Sequence, residues 1–202
     1  QNVQFIAGQD FNKNPMTTLI CKVWGDPKDP DTWGVCVVDE VQTWNSDAYK
    51  HGEWLKSEKC RGGRVLYGGV PIVCDSTSCN PDKGGARSGR HNGSSDAKYL
   101  VDLGFDIRPA ALSPRGAPVN PYILDSISHM HKLMRENRLL IHGTRCPQLL
   151  RALEDQQVRA NGLPEKVSST ASDRLSSPID ALRYLCWALF APRAKPAKIE
   201  VM

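Results

Sequence analysis

Three aspartates stand where a folded chain could bring them together. Asp10 closes the run Phe5-Ile6-Ala7-Gly8-Gln9, Asp75 closes Val70-Pro71-Ile72-Val73-Cys74, and Asp180 stands at the head of the apolar run Ile179 to Phe190. A short apolar run that ends in an acid reads as a buried strand delivering one carboxylate to the edge of a sheet. Carboxylates are the hard oxygen ligands that magnesium and related ions accept in small number, leaving room for water and phosphate. Three of them within reach would repel by about 4 kcal/mol per pair at about 4 Å and an effective dielectric near 20, a penalty that cations remove. The chemistry such a cluster supports is metal-assisted cleavage of phosphodiester bonds.

Each acid also has a local structural use. Asp10 could cap a turn with Asn12 and Asn14, and Asp75 could form an Asx turn with Thr77. Asp180 could be the acid of a Ser-x-x-Asp capping box that starts at Ser177, where Ser177-Pro178 makes a helix start. Two further acids are candidates for the same cluster. Glu40 follows Asp39 at the end of a strand, and side chains alternate faces, so only one of the pair can share a side with Asp10 while the other is solvated. Asp173 lies seven residues before Asp180 and shares its helix face if that helix reaches back so far. His129 and His131 flank an apolar helical stripe and read as surface or packing residues. Cys74 and Cys79 flank Asp75, but no second Cys/His pair with finger-like spacing accompanies them, which argues against zinc. Neither a nucleophile elbow nor a phosphate-binding Gly-x-x-x-x-Gly-Lys motif is present, which excludes ATP hydrolysis by that route.

The elements that must position these acids are legible from period and turn chemistry. Phe5 to Asp10, Met16 to Trp24 and Thr32 to Gln42 read as three consecutive strands of an antiparallel meander. Asn45 or Ser46 would cap a helix from Asp47 to about Glu58 with Ala48, Gly52 and Leu55 on one stripe. The run at Val70 to Asp75, a strand after a helix, suggests a parallel addition to the meander. Ser76 to Ser95 holds four glycines among Lys83, Arg87, Arg90 and His91, a composition that reads as a mobile basic loop beginning directly after Asp75. A short helix over Asp96 to Leu103, stopped by Gly104, precedes a brief strand at Phe105 to Arg108 and a Pro/Gly loop carrying Arg115. Asn120-Pro121 supplies an N-cap and a first-turn proline for the helix whose stripe is Ile123, Leu124, Ile127, Met130 and Leu133. A small strand at Arg138 to His142, a helix over Pro147 to Gln156 and a long apolar helix over about Asp173 to Phe190 complete the list.

With 202 residues the chain fits one larger domain, residues 1–192, followed by a basic tail over 193–202 that frays. The formal charge of +4 permits a basic face without requiring one. Seven cysteines with no CxxC pair imply a reduced, intracellular protein. Neither a signal-peptide pattern nor an apolar stretch long enough to span a bilayer is present, so no membrane is implied.

The segments Phe5-Ile6-Ala7-Gly8-Gln9-Asp10-Phe11-Asn12 with Pro15, Val70-Pro71-Ile72-Val73-Cys74-Asp75, and Ser177-Pro178-Ile179-Asp180-Ala181-Leu182-Arg183-Tyr184 resemble the nuclease domain of tailed-phage large terminase subunits. The Asp-Ala-Leu-Arg-Tyr run is the most specific piece, and the elements between follow the family's order along nearly the whole chain. The resemblance implies an α/β, RNase H-like fold, with a central mixed sheet flanked by helices. It also implies a carboxylate cluster of Asp10, Asp75 and Asp180 that binds two magnesium or manganese ions and cuts double-stranded DNA. Lys83, Arg87, Arg90 and Arg115 would contact the DNA backbone, Arg115 standing where the family often has a lysine. The partners it implies are an amino-terminal ATPase domain of the same polypeptide, the portal protein and the small terminase subunit, in the cytoplasm of an infected bacterial host. Other RNase H-like nucleases, a Holliday-junction resolvase or transposase core, and a non-catalytic module that binds DNA or docks on the portal are the alternatives.

Overall fold

The computed structural model describes residues 4–12, 14–26, 28–29, 32–57, 69–79, 96–165 and 170–191, with the side chains of 170–174 left out. The basic loop over 80–95, with Lys83, Arg87 and Arg90, and the tail over 193–202 lie outside the described residues, as does the Asp173 side chain.

Six strands form one sheet. β1 (Gln4–Asp10), β2 (Met16–Trp24) and β3 (Gly34–Thr43) are the expected antiparallel meander, with Asp10 opposite Thr17 and Thr17 opposite Gln42. β4 (Pro71–Cys74) adds to β1 in parallel, and β5 (Asp106–Pro109) adds to β4 in parallel. β6 (Leu139–Ile141) pairs with β3, also in parallel, so the order across the sheet is β5-β4-β1-β2-β3-β6. A meander extended by parallel strands on both edges and covered by helices is the mixed, RNase H-like arrangement.

Strand alternation splits the apolar residues between two cores. Ile6, Leu19, Cys21, Val35, Val37 and Val73 face one side. There they meet α3 (Ile123–Arg135), α4 (Pro147–Asp155) and α5 (Thr170–Phe190). Ala7, Ile20, Val41 and Ile72 face the other, against Leu55 of α1 (Ala48–Lys56) and Leu100 of α2 (Asp96–Asp102). Residues 8 and 10 of β1 therefore look toward α5, and residues 7 and 9 toward α1.

Three helix starts differ from the sequence reading. α1 is capped by Asp47, whose side chain accepts the Lys50 N–H, in place of Asn45 or Ser46. Asn120 does not cap α3. Its Oδ1 accepts the Ser76 backbone N–H at 2.8 Å, and Tyr122 occupies the cap position without a side-chain bond. α5 begins at Thr170, so Ser177-Pro178 lies inside the helix and no capping box forms there. An interior proline costs about 3 kcal/mol. Here Ser177, Pro178 and Ile179 are all buried, and the packing of that turn offsets the penalty.

Candidate metal centre

Asp10 and Asp75 are brought together by register. β1 and β4 run parallel with Gln9 beside Cys74, so the next residue of each strand is an aspartate leaving the same end of the sheet on the same face. Adjacent strands lie about 4.8 Å apart, which fixes the separation of the two backbones. Asp180 arrives from above on α5. Gly8, two residues before Asp10 on the same face, makes this approach possible: a β-carbon there would lie 2.5 Å from the carbonyl oxygen of Ala181 and 3.1 Å from Cβ of Leu185. The glycine thus seats the helix directly on the strand, and the residue before Ala181 is Asp180.

The electrostatics of Asp10 report the convergence. Burial first, then the charge of Asp180, push its carboxyl up to about 8, and Asp75 adds a smaller contribution in the same direction. Hydrogen bonds from the Ser177 hydroxyl and the Asn12 backbone pull it partway back. Asp10 is 6% exposed, and its Oδ2 is buried without a hydrogen-bond partner. A buried carboxyl oxygen without a hydrogen-bond partner, within electrostatic reach of two other carboxylates, is a poor arrangement for a protein alone and a good one for a cation.

The other two acids are held from outside the cluster. Asp75 forms the Asx turn expected of it: Oδ1 accepts the Thr77 N–H at 3.1 Å, and Oδ2 accepts the Thr77 and Ser78 hydroxyls at 2.7 and 2.9 Å. That turn is tied down from the distant loop by Asn120 on the Ser76 N–H, and by the Ser76 hydroxyl and Ala111 backbone bonded to each other. Asp180 is a third exposed and is gripped by the buried Arg183. The guanidinium donates from Nε and Nη2 to Asp180 Oδ1 at 3.0 and 2.9 Å, and from Nη1 to the Ser126 hydroxyl at 2.9 Å. The grip engages one Asp180 oxygen and leaves Oδ2 out of these bonds. Among the described residues, no three His, Cys, Asp or Glu side chains already stand close enough to hold a metal ion. The donor set fits a hard divalent cation in kind, and ligation requires the three carboxylates to draw closer together than they stand here.

Glu40 shares the Asp10 face of the sheet but sits two strands away on β3. Its two oxygens accept the Gln148 and Leu149 backbone N–H groups at 2.7 and 2.8 Å, capping α4, and it lines a separate cleft with Asp39, Trp54 and Arg145. Burial raises its carboxyl against the pull of those two amides. It is therefore engaged away from the three aspartates. Nor is its partner Asp39 solvated: that residue is 6% exposed. Arg115 is exposed on the loop between β5 and α3. His129 packs edge-on against Trp187, 6.0 Å between ring centroids, as a packing residue does.

Sequence reasoning passed over Ser177, Arg183 and Tyr184 as individual groups. Ser177 bonds Thr17, 3.0 Å between hydroxyls, and reaches Asp10. Tyr184 is buried, and its hydroxyl is pushed up by burial and by the charges of Asp180, Asp75 and Asp10 against a lowering from Arg183. Spacings of three and four from Asp180 put all three residues on its side of the helix, which is the signal that could have found them.

No protein-family model matches the sequence, and no characterised protein matches it by sequence. Solved structures do match its fold. The P22 large terminase nuclease domain superimposes with a TM-score of 0.60 at 20% identity, covering 90% of this chain and 79% of that one. The large terminase nuclease of the thermophilic phage G20c, solved with bound magnesium, gives 0.50 at 16% identity, covering 93% and 81%.

Proposed function

We propose that this chain is the nuclease domain of a phage large terminase, a metal-dependent endonuclease that cuts double-stranded DNA during packaging. The observation that carries the reading is the buried Oδ2 of Asp10, which has no hydrogen-bond partner and belongs to a carboxyl that feels the charges of Asp180 and Asp75, on a fold shared with two phage terminase nucleases, one of them solved with magnesium.

Asp10, Asp75 and Asp180 would hold the divalent ions, magnesium or manganese and two in number, with Asp173 as a further acid on the same helix. Ions so held supply activation of a water nucleophile and neutralise the charge that builds on the departing oxygen. The chain's own residues do the rest. Asp10 gives up its proton to receive a cation, since its carboxyl sits near 8 without one. Arg183 fixes the direction of Asp180 while cancelling part of the cluster's negative charge, which lowers the cost of bringing a DNA phosphate near. Thr77 and Ser78 orient Asp75. Arg115, with Lys83, Arg87 and Arg90, contacts the phosphate backbone without reading bases, giving little sequence preference. In a full terminase such a domain works beside an ATPase domain, the portal and a small subunit, and those are its proposed partners.

Plasmid nicking in manganese, comparing the wild-type chain with Asp75→Ala, tests this. Cutting by the wild type that chelation abolishes and that Asp75→Ala lacks is the expected result. Equal cutting by both proteins removes Asp75 from the site, and no cutting by the wild type with either metal overturns the assignment.

A further inference from the structure

On the face of the sheet opposite the three aspartates runs a buried polar chain that the proposed reaction does not use. It comprises Gln9, Thr18 and His51, each 0% exposed, with Thr43 at its outer end. Gln9 Nε2 lies 3.0 Å from the backbone oxygen of Asp10, Thr18 Oγ1 bonds Gln9 Oε1, His51 Nε2 lies 2.8 Å from Thr18 Oγ1, and Thr43 Oγ1 lies 2.7 Å from His51 Nδ1.

One end dictates the direction of every bond. The Asp10 carbonyl can only accept, so the Gln9 amide nitrogen must face it and the Gln9 oxygen must face Thr18. Thr18 then uses its single hydroxyl proton on Gln9, so His51 Nε2 must carry a proton and donate to Thr18. A neutral imidazole has one ring proton, so His51 Nδ1 accepts, and Thr43 donates to it. Burial holds His51 neutral, its value lowered to about 3. Four bonds thus point one way, from the end of β3 through α1 and β2 to the peptide of Asp10, and bonds aligned in series strengthen one another.

We propose that Thr43, His51, Thr18 and Gln9 are positioning residues that fix the peptide of Asp10 and, through it, the direction of its carboxylate. Asp10 is the last residue of β1, and the chain leaves the sheet after it. The sheet holds Asp10 on one side only, opposite Thr17, because the pairing with β4 stops at Gln9 and Cys74, and a turn of the Asp10 carbonyl re-aims the side chain on the opposite face. Metal ligation needs placement within about 0.5 Å, which a strand end does not secure unaided. Gln9 supplies the restraint, and Thr18 and His51 keep its amide from turning over.

This inference rests on the metal-site reading above, and the experiment separates the two. In the metal-free full chain, side-chain 15N resonances of His51 report its tautomer, and the Asp10 carbonyl 13C resonance reports its bond to Gln9. The expected results are the Nε2-protonated neutral form and an Asp10 carbonyl resonance that moves in Thr18→Val and returns in Thr18→Ser. Calorimetry at a temperature where each variant is folded then gives manganese affinity. Thr18→Val is expected to weaken it by about 10-fold or more, the usual range for outer-shell partners of a ligand, and Thr18→Ser to recover most of the loss. An Nδ1-protonated ring or an unmoved Asp10 carbonyl overturns the chain of bonds. A Thr18→Val protein that is merely less stable, with wild-type manganese affinity once folded, overturns the positioning role. A wild type that binds no manganese refutes the metal site, while the two resonances still decide the chain.

Discussion

Replacing Asp10 with asparagine keeps the side chain's shape and removes its charge, and the structure sets the consequence. The Asp10 carboxyl sits at about 8 in the folded protein against 3.8 when exposed, because burial, then Asp180, then Asp75 oppose its ionisation. Between those values the folded protein keeps a proton that the unfolded chain has released. The contribution to stability is therefore complete below the unfolded value and is lost as pH rises through the folded one. The loss is about 1.4 kcal/mol per pH unit, or roughly 4 kcal/mol between about pH 5 and pH 8, before it levels off. An asparagine side chain at this position cannot titrate. In urea denaturation with a chelator present, the wild type should fall relative to Asp10→Asn across that window, since all other groups titrate in both proteins. Adding manganese should flatten the wild-type curve, because a cation takes the place of the proton, and should leave the variant's curve nearly unchanged. Wild-type and variant stabilities that run parallel from pH 5 to pH 8 would refute the claim that Asp10 is buried against two like charges.

Gly8→Ala places a β-carbon 2.5 Å from the Ala181 carbonyl oxygen and should cost about 1–3 kcal/mol in thermal or urea unfolding, the range for overpacking. If α5 moves off β1 to relieve it, manganese affinity falls as well. Unchanged stability would show that the helix is not seated there. Arg183→Met removes the grip on Asp180 and the bond to Ser126, and should destabilise by roughly 2 kcal/mol, less than a fully buried pair because Asp180 is a third exposed. Its manganese affinity, measured by calorimetry, should change in the same variant, and an unaltered affinity would place Arg183 outside the site's function. Arg115→Ala should weaken DNA binding uniformly across sequences and reduce the slope of log affinity against log salt by about 1. An unchanged slope would remove Arg115 from the DNA path.

Much of this molecule was set by short-range pattern. The alternation in Phe5 to Asp10 and Met16 to Trp24, the turn residues between them, and acids placed where apolar runs stop give the meander and the sheet end at which Asp10 and Asp75 emerge. Period and turn chemistry act between near neighbours, so a sequence displays them directly. What the tertiary structure alone decided are partnerships between residues far apart in the chain. Asn120 looks like a helix cap and instead bonds Ser76, and Glu40 looks like a site acid and instead caps α4. Ser177 looks like a helix start and instead lies within α5 against Thr17. In each case a side chain meets a group far along the chain: Asn120 a half-buried amide, Glu40 the first-turn amides of α4, and Ser177 a buried hydroxyl. Such bonds form only once the fold has brought the partners together, and a net hydrogen bond of about 1 kcal/mol is enough to compete with a local cap of similar size. The same rule governs the chain from Thr43 to Gln9: no spacing announces it, because its members meet only after the sheet has closed and α1 has laid His51 between two strands.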